Sequence, residues 1–221
     1  MTKGHYRDQL ADQHLDFLVV ETKTLHDGFR PLQATTLHHE RFDGDGEIGP
    51  IRREYLATGE VVIVIPYDPA RDAIVVIRQF RVAAALVLDL AAALELPAGL
   101  VDPGEDCEAA ARRELHEETG LVAKAIERCY RILSSPGLTT EHATIFLAIV
   151  DASDLTESAG KDDEHEDIRP ILAKVDDLIA AVDDGRIENA FLVGCAHWFA
   201  RKGRARAQVL SGTLDREDDA S

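Results

Sequence analysis

The segment from Gly99 to Leu121, GLVDPGEDCEAAARRELHEETGL, constrains this chain more than any other part of its sequence. Pro103 and Gly104 mark a turn, Asp106 is a favourable N-cap, and CEAAARRELHEET consists mostly of strong helix formers. Gly120 then supplies a C-terminal stop. The segment therefore predicts a loop followed by a helix of about three to four turns.

The glutamates of this helix share one face. Because successive residues are about 100° apart, Glu114, Glu117 and Glu118 fall within an arc of roughly 100°. Like charges four residues apart, as at Glu114 and Glu118, destabilise a helix, and a cation would relieve that cost. Magnesium is held by a few carboxylates together with substrate phosphates. Glu114 and Glu118 are therefore the first-choice metal ligands. Glu117 and Glu105 come next, and Arg113 is expected to orient one of these carboxylates through a bidentate pair.

A solvated, charged surface helix is the alternative interpretation of such a stretch. The fixed spacing of Gly99 and Glu105 ahead of the helix favours the functional interpretation. A metal site that serves a phosphate-bearing substrate is the chemistry that these residue types can perform.

Composition excludes several other classes of protein. A net charge of −17 over 221 residues argues against nucleic acid and against an anionic membrane surface as partners. Cys107, Cys129 and Cys195 show neither a disulfide framework nor the spacing of a zinc site. No secretory signal opens the chain, and no apolar run approaches about 18 residues. We expect a cytoplasmic protein without a membrane span.

The hydrophobic pattern divides the chain into three parts. Residues 1–57 contain FLVVETKTLH, PLQATTLHHERF and PIRREYLA, which predict a small antiparallel β unit. In residues 58–202, VVIVIPYD and AIVVIRQF predict a buried hairpin, and LELPAGLV, CYRILSSPG and ATIFLAIVD predict further strands. KVDDLIAAVDDGRI and ENAFLVGCAHWFARK predict two more helices, so this part is expected to be an α+β sandwich. Residues 203–221 are charged and weakly patterned and are expected to form a flexible tail.

The spacing within Gly99–Leu121 is that of the Nudix box, and the chain resembles the Nudix hydrolases from roughly Glu60 to Lys202. Pro136 stands sixteen residues after Gly120, and a proline at that offset is typical of the ADP-ribose pyrophosphatase branch. IRREYLATGEVVIVIPYDPARDAIVVIRQFRVAA, DEHEDIR and DDGRIENAFLV are also similar to that branch. The resemblance implies an α/β/α sandwich with a mixed sheet, plus a small N-terminal antiparallel β domain. It also implies that residues 1–57 are swapped in a homodimer with shared active sites.

The activity that this resemblance implies is hydrolysis of the diphosphate of ADP-ribose to AMP and ribose 5-phosphate. Mg²⁺ is the implied cofactor, with Mn²⁺ as the alternative. A rival interpretation keeps the chemistry and changes the substrate to another nucleoside diphosphate sugar, such as GDP-mannose. A non-catalytic ADP-ribose sensor ranks lower, because such proteins typically lose a box carboxylate and this chain keeps every one.

The resemblance also assigns residues. Metal-facing positions are Ala98 through its carbonyl group, Glu114, Glu117, Glu118 and Glu166. Glu164 takes the general-base position beside Glu166, and the sequence leaves the choice between these two open. The catalytic group is completed by Glu117, Glu118 and Arg113. Implied substrate contacts are Phe29, Arg30, Arg52, Arg53, Arg81, Leu100, Ser135, Pro136, Gly137 and Glu141. Arg30 departs from the family, which has an aromatic residue there, so stacking on adenine would use its guanidinium plane.

Overall fold

The computed structural model describes residues 10–160 and 166–218, without the side chains of residues 213–218. Two compact units are present. The N-terminal unit holds the described residues up to Thr58 together with Ser135–Thr140. The sandwich unit holds Gly59–Ser134 and the described residues from Glu141 onward. The main division therefore falls one residue beyond the expected boundary at 57/58, whereas the inclusion of Ser135–Thr140 in the first unit was not anticipated.

The N-terminal unit contains a three-stranded antiparallel sheet. Its strands, in spatial and chain order, are β1 (Phe17–His26), β2 (Leu32–Glu40) and β3 (Glu47–Leu56). This confirms the small antiparallel unit that the alternating pattern predicts.

Ser135–Thr140 joins this unit through backbone and side-chain hydrogen bonds. The Leu56 N–H donates to the Leu138 carbonyl at 2.9 Å, and the Thr140 N–H donates to the Leu56 carbonyl at 3.0 Å. The hydroxyls of Thr58 and Thr139 lie 2.7 Å apart. The segment is therefore an integral part of the N-terminal unit, although it lies about eighty positions further along the chain.

The sandwich unit is built on a seven-stranded mixed sheet. Its strands are β4 (Glu60–Asp68), β5 (Ala73–Phe80), β6 (Ala92–Glu95), β7 (Ala98–Leu100), β8 (Ala125–Leu133), β9 (His142–Ile149) and β10 (Arg169–Lys174). The main path runs β10-β5-β4-β9-β8, in which β4 and β9 are parallel and the other neighbours are antiparallel. β4 and β5 pair only at the closed end of their hairpin, at Tyr67–Ile74 and Asp68–Ala73. Beyond that point β6 pairs with β5 and β7 pairs with β4, so the box segment begins where the hairpin has opened.

Helices cover both faces of this sheet. They are α1 (Val82–Leu88), α2 (Cys107–Thr119), α3 (Val175–Asp183), α4 (Ala190–Trp198) and α5 (Arg204–Asp218), with a 3₁₀ turn at Ala152–Asp154 and a π-helical turn at Phe199–Gly203. Alternate residues of β4 point to opposite faces. Val62 and Val64 pack with Leu115 of α2, whereas Ile63 and Ile65 pack with Leu192 of α4. The predicted α+β architecture, an α/β/α sandwich with a mixed sheet, is confirmed.

The C-terminal segment differs from the expected flexible tail. Arg204–Asp218 forms α5, in which Ala207 is buried. The Arg206 guanidinium donates to both carboxylate oxygens of Glu127 at 2.9 and 2.8 Å, and Arg204 pairs with Asp72. These partners lie far away in the sequence, so the local pattern that predicted a tail contains no trace of them.

α1 and β10 were also not predicted as separate elements. In α1 every residue is apolar, so no amphipathic periodicity marks it as a helix. No helix within the described ranges combines the length and the apolar character needed to cross a membrane.

Candidate functional site

The helix of the box is fixed at both ends by its own sequence. The Asp106 carboxylate accepts hydrogen bonds from the N–H groups of Glu108 and Ala109 at 2.9 and 3.3 Å. Gly120 has φ +72°, a left-handed conformation that favours glycine, and its N–H donates to the His116 carbonyl at 2.8 Å. The predicted helix, with its start and stop, is therefore confirmed. The caps fix where the helix begins and ends, and its apolar residues Ala110, Ala111 and Leu115 pack into the core.

Arg113 joins the loop of the box to the helix. Its Nε and Nη2 donate to the two oxygens of Glu105 at 2.9 and 2.8 Å, and Nη2 also donates to the Leu100 carbonyl at 3.1 Å. Nη1 donates to Glu114 at 2.6 Å and to Glu117 at 3.3 Å. Arg113 thus orients three carboxylates, where the sequence interpretation expected it to orient one.

Glu105 serves this arginine. The hydrogen bonds from Arg113, followed by one from the Asp102 N–H, lower the pKa of Glu105 to about 2. Both oxygens of Glu105 therefore accept hydrogen bonds and anchor Arg113, while its place as a second-choice metal ligand stays a prediction.

Gly99 is required by the position of Glu114. β7 places Gly99 opposite Val62, and a Cβ atom added at Gly99 would collide with the Glu114 carboxylate. Only the absence of a side chain allows this carboxylate to lie against the backbone of β7. The first glycine of the box therefore has a direct steric role.

Glu118 is the most strongly perturbed carboxylate of the site. Its side chain is nearly buried, with 4 % of the residue exposed, and one oxygen accepts the Ala98 N–H at 2.9 Å. Burial raises the pKa of Glu118 to about 8, and repulsion from Glu114 and Glu166 contributes to the rise although the Ala98 N–H and Arg81 oppose it. A buried carboxylate among like charges lacks positive charge, and a hard divalent cation with oxygen ligands fits that need.

The described carboxylates of the site do not form a ready set of ligands for one metal ion. Within residues 10–160 and 166–218, no three His, Cys, Asp or Glu side chains are arranged to hold one metal ion. The hydrogen bonds explain this, because Arg113 holds Glu114 and Glu117 while Glu118 turns toward Ala98. The donor chemistry nevertheless fits a magnesium-type ion, which takes only a few carboxylates from a protein.

Arg81 forms an ion pair that the sequence interpretation missed. Its Nε lies 3.1 Å from each carboxylate oxygen of Glu95, and its Nη2 lies 2.7 Å from Oε2. Asn189 Nδ2 also approaches Glu95 Oε1, at 3.4 Å. The sequence offers one signal for Glu95, which is the single charge in the otherwise apolar stretch AAALELPAG.

The remaining predicted residues are divided between the two units. Phe29 is 87 % exposed, and the Arg30 guanidinium carbon lies 5.0 Å from the centroid of its ring. Arg52 pairs with Glu54, and Arg53 donates to the Arg52 carbonyl at 3.0 Å. These four belong to the N-terminal unit, as do Ser135, Pro136 and Gly137, whereas Arg81, Leu100, Glu141, Glu166 and the box belong to the sandwich unit. Glu164 lies outside the described residues.

Comparison with known proteins gives a consistent result. The model of the NUDIX domain matches residues 57–191. The ADP-ribose pyrophosphatase of Escherichia coli K12 is 35% identical over 183 residues, which cover 83% of this chain and 87% of the relative. The ADP-ribose pyrophosphatase of Haemophilus influenzae is 32% identical, with 87% and 92% covered. The GDP-mannose pyrophosphatase of Klebsiella pneumoniae is 29% identical, with 92% and 99% covered. The domain match, the box geometry and the sandwich fold together show that this chain belongs to the Nudix family.

Proposed function

We propose that this protein catalyses the Mg²⁺-dependent hydrolysis of ADP-ribose to AMP and ribose 5-phosphate. Two relatives that carry the name ADP-ribose pyrophosphatase share about a third of their residues with this chain over most of its length. Every acidic residue of the box is present, which supports an active enzyme over a non-catalytic sensor. The substrate class follows from these relatives, and the reaction type follows from the site.

The observation that carries this proposal is the shortage of positive charge around the buried Glu118 carboxylate. This buried carboxylate is repelled by Glu114 and Glu166, and among the described residues its one hydrogen-bond partner is the Ala98 N–H. Mg²⁺, with Mn²⁺ as the alternative, would be held by Glu114, Glu117, Glu118, Glu166 and the Ala98 carbonyl group. When bound, such an ion neutralises the diphosphate and activates a water molecule.

The protein's own residues have three tasks in this proposal. Arg113 keeps Glu114 and Glu117 in place through the hydrogen bonds described above. Arg81 meets the phosphate charge, since a guanidinium matches phosphate oxygens in pairs. Glu164 removes the proton from the attacking water, with Glu166 as the alternative base, because the carboxylates of α2 are committed to the metal and to Arg113.

Adenosine recognition is assigned to the N-terminal unit. Phe29 and Arg30 already stack on each other in an exposed position, which suits contact with a planar base. Arg52 and Arg53 are proposed to contact phosphate or ribose oxygens. Leu100, Ser135, Pro136, Gly137 and Glu141 are proposed as further substrate contacts, the last four of them to the terminal ribose.

The proposal includes a homodimer in which residues 1–57 are swapped and the active sites are shared. All ten residues of β1 are exposed, among them Phe17, Leu18 and Val20, and an apolar edge strand of this length favours pairing with another chain. Co-expression of an Arg52→Ala/Arg53→Ala chain with a Glu118→Gln chain tests this arrangement. Shared sites predict recovered activity in mixed dimers, and activity no greater than the sum of the two separate variants would contradict this arrangement.

The three cysteines of the chain are free, which is compatible with the reducing environment of the cytoplasm, where we place the enzyme.

A panel of nucleotide sugars tests the substrate. We expect the highest kcat/KM for ADP-ribose, no turnover in the presence of a chelator, and AMP as a product identified by chromatography. GDP-mannose is the second candidate, supported by the 29% identical relative from Klebsiella pneumoniae. A higher kcat/KM for GDP-mannose would overturn the first choice, and tight binding of ADP-ribose without turnover would favour a sensor.

A further inference from the structure

The ion pair between Arg81 and Glu95 is anchored on both sides by the backbone. Arg81 follows β5, and its N–H donates to the Ala91 carbonyl at 2.8 Å. Glu95 ends β6, where it lies opposite Ile77 of β5. The end of β5 and the strand β6 are therefore held side by side, which keeps the backbone positions of Arg81 and Glu95 in a fixed relation.

Glu95 is held more firmly than an ordinary surface carboxylate. Its side chain is 12 % exposed, and Asn189 Nδ2 lies 3.4 Å from Oε1. The other end of the Asn189 amide caps α4 by accepting the Leu192 N–H at 3.0 Å. Glu95 is thus connected to the start of a buried helix, which limits the orientations that its carboxylate can take.

The pairing leaves one edge of the guanidinium available. A guanidinium has five N–H donors, and Glu95 engages those of Nε and one of Nη2. No described residue accepts a hydrogen bond from Nη1, and the Arg81 side chain is 44 % exposed. The Nη1 and Nη2 edge is therefore free to form a second pair of hydrogen bonds with an oxyanion.

Glu95 also determines which of the nearby carboxylates pairs with Arg81. The charges of Glu118 and Glu166 act on Arg81 electrostatically. Without Glu95, the Arg81 side chain would be attracted by those two carboxylates alone, which the proposed function reserves for the metal. An arginine paired with them would be lost to the substrate.

We propose that Glu95 is a positioning residue that holds Arg81 with its free edge toward a phosphate oxygen of the substrate. This inference rests on the proposed function only for the class of ligand, a molecule with a diphosphate. Glu95 itself touches no substrate, and it acts through the orientation of Arg81.

Steady-state kinetics of Glu95→Gln test the inference. The amide keeps the size of the side chain and removes the charge that holds Arg81, so we expect KM for ADP-ribose to rise about tenfold with a smaller change in kcat. In an Arg81→Lys background, the same substitution should change KM by less than about twofold, because lysine cannot form the paired contact. A full effect of Glu95→Gln in that background would overturn the inference.

Glu127→Gln is the matched control. Glu127 makes the same paired contact with Arg206, on β8 and α5, at 2.9 and 2.8 Å. We expect this variant to keep the wild-type KM. Asn189→Asp is the second variant, since aspartate still caps α4 but repels Glu95, and it should raise KM in the same direction by a smaller factor. An unchanged KM in both Glu95→Gln and Asn189→Asp would contradict the inference.

Calorimetry with inorganic pyrophosphate separates this inference from the proposed function. Wild type should bind pyrophosphate, and Glu95→Gln should weaken binding by a factor similar to the rise in KM. If the wild type hydrolyses a different nucleotide sugar, the proposed substrate is wrong while the pyrophosphate result still decides the role of Glu95. Equal affinity of the two proteins, or no binding by wild type, would overturn the inference.

Discussion

Two nearly buried carboxylates of the sandwich unit differ in what surrounds them. Asp68, with 1 % exposed, accepts hydrogen bonds from the Ala152 N–H at 3.0 Å and the Arg71 N–H at 3.1 Å, and it pairs with the Arg71 guanidinium. Burial acts to raise the pKa of Asp68, but these donors outweigh it and hold the pKa below its ordinary value. Glu118 accepts one backbone N–H, and its pKa moves the other way, to about 8.

The difference separates a structural carboxylate from a functional one. Burial acts to raise the pKa at both residues, but at Asp68 three hydrogen-bond donors outweigh it, whereas at Glu118 the Ala98 N–H and Arg81 do not. Asp68 pairs directly with the Arg71 guanidinium, whereas at Glu118 the attraction of Arg81 does not offset burial and the repulsion from Glu114 and Glu166, so further positive charge is needed. Asp68 should therefore matter for stability, and Glu118 for activity.

The largest expected effect is on the activity of Glu118→Gln. The amide removes a negative charge that a cation would need, so kcat with Mg²⁺ should fall by at least about a hundredfold. The melting temperature should be unchanged or higher, because the substitution also removes repulsion from Glu114 and Glu166. Turnover and differential scanning calorimetry measure the two quantities. Activity near that of wild type would remove Glu118 from the metal site.

Asp68→Asn should have the opposite profile. The amide cannot accept all three hydrogen bonds, so the free energy of unfolding should decrease by about 2–3 kcal/mol while kcat and KM stay near wild type. Urea denaturation followed by circular dichroism measures this change. Asp151→Asn is the control, since Asp151 pairs with Arg71 in an exposed position and its substitution should cost much less stability. Equal decreases in the free energy of unfolding in the two variants would show that the buried position of Asp68 does not make its hydrogen bonds more important for stability.

Gly99→Ala tests the packing of Glu114 without changing any charge. The added Cβ displaces the Glu114 carboxylate, so the Mg²⁺ concentration for half-maximal activity should rise about tenfold. Gly194→Ala is a suitable control because, apart from the backbone of α4 itself, no atom of the described residues lies within 4 Å of the added Cβ. It should leave the Mg²⁺ requirement unchanged and stabilise the protein by up to about 1 kcal/mol. An unchanged Mg²⁺ requirement in Gly99→Ala would mean that Glu114 does not need its observed position.

The smallest effect concerns acid stability. The pKa of Asp68 in the folded protein lies below its ordinary value of 3.8, so its contribution is complete above that pH and is lost as pH falls through the folded-state pKa. Wild type should therefore lose stability on acidification more steeply than Asp68→Asn, which has no such group. Unfolding free energies measured between about pH 6 and pH 3 provide the test. Parallel curves for the two proteins would contradict the assignment.

The sequence predicted the elements whose information is local. Asp106 and Gly120 define the box helix, and the runs VVIVIPYD and AIVVIRQF define the central hairpin, because caps, turns and apolar periodicity act over a few residues. A glycine at position 99 indicates that some group lies close to its backbone, but the sequence does not show that this group is the Glu114 carboxylate. The roles given to Glu164 and to the residues of the N-terminal unit remain predictions.

The features that the sequence did not predict depend on pairing over long distances. Glu95 could pair with any of many arginines, and only the register of β6 with β5 selects Arg81. α5 is stabilised by Glu127 and Asp72, which lie about eighty and 130 positions away in the sequence. Such partners are chosen by the fold, and no local spacing encodes them.

The hydrogen bonds that connect Leu56 and Thr58 with the segment Ser135–Thr140 limit where this protein can be truncated. A chain shortened to begin at Gly59 would retain that segment but lose the Leu56 groups to which Leu138 and Thr140 are bonded. The shortened protein would then carry unpaired backbone between β8 and β9, in the loop that contains Pro136. Removing the first 58 residues would therefore destabilise this loop, and a stable protein is expected to need both units.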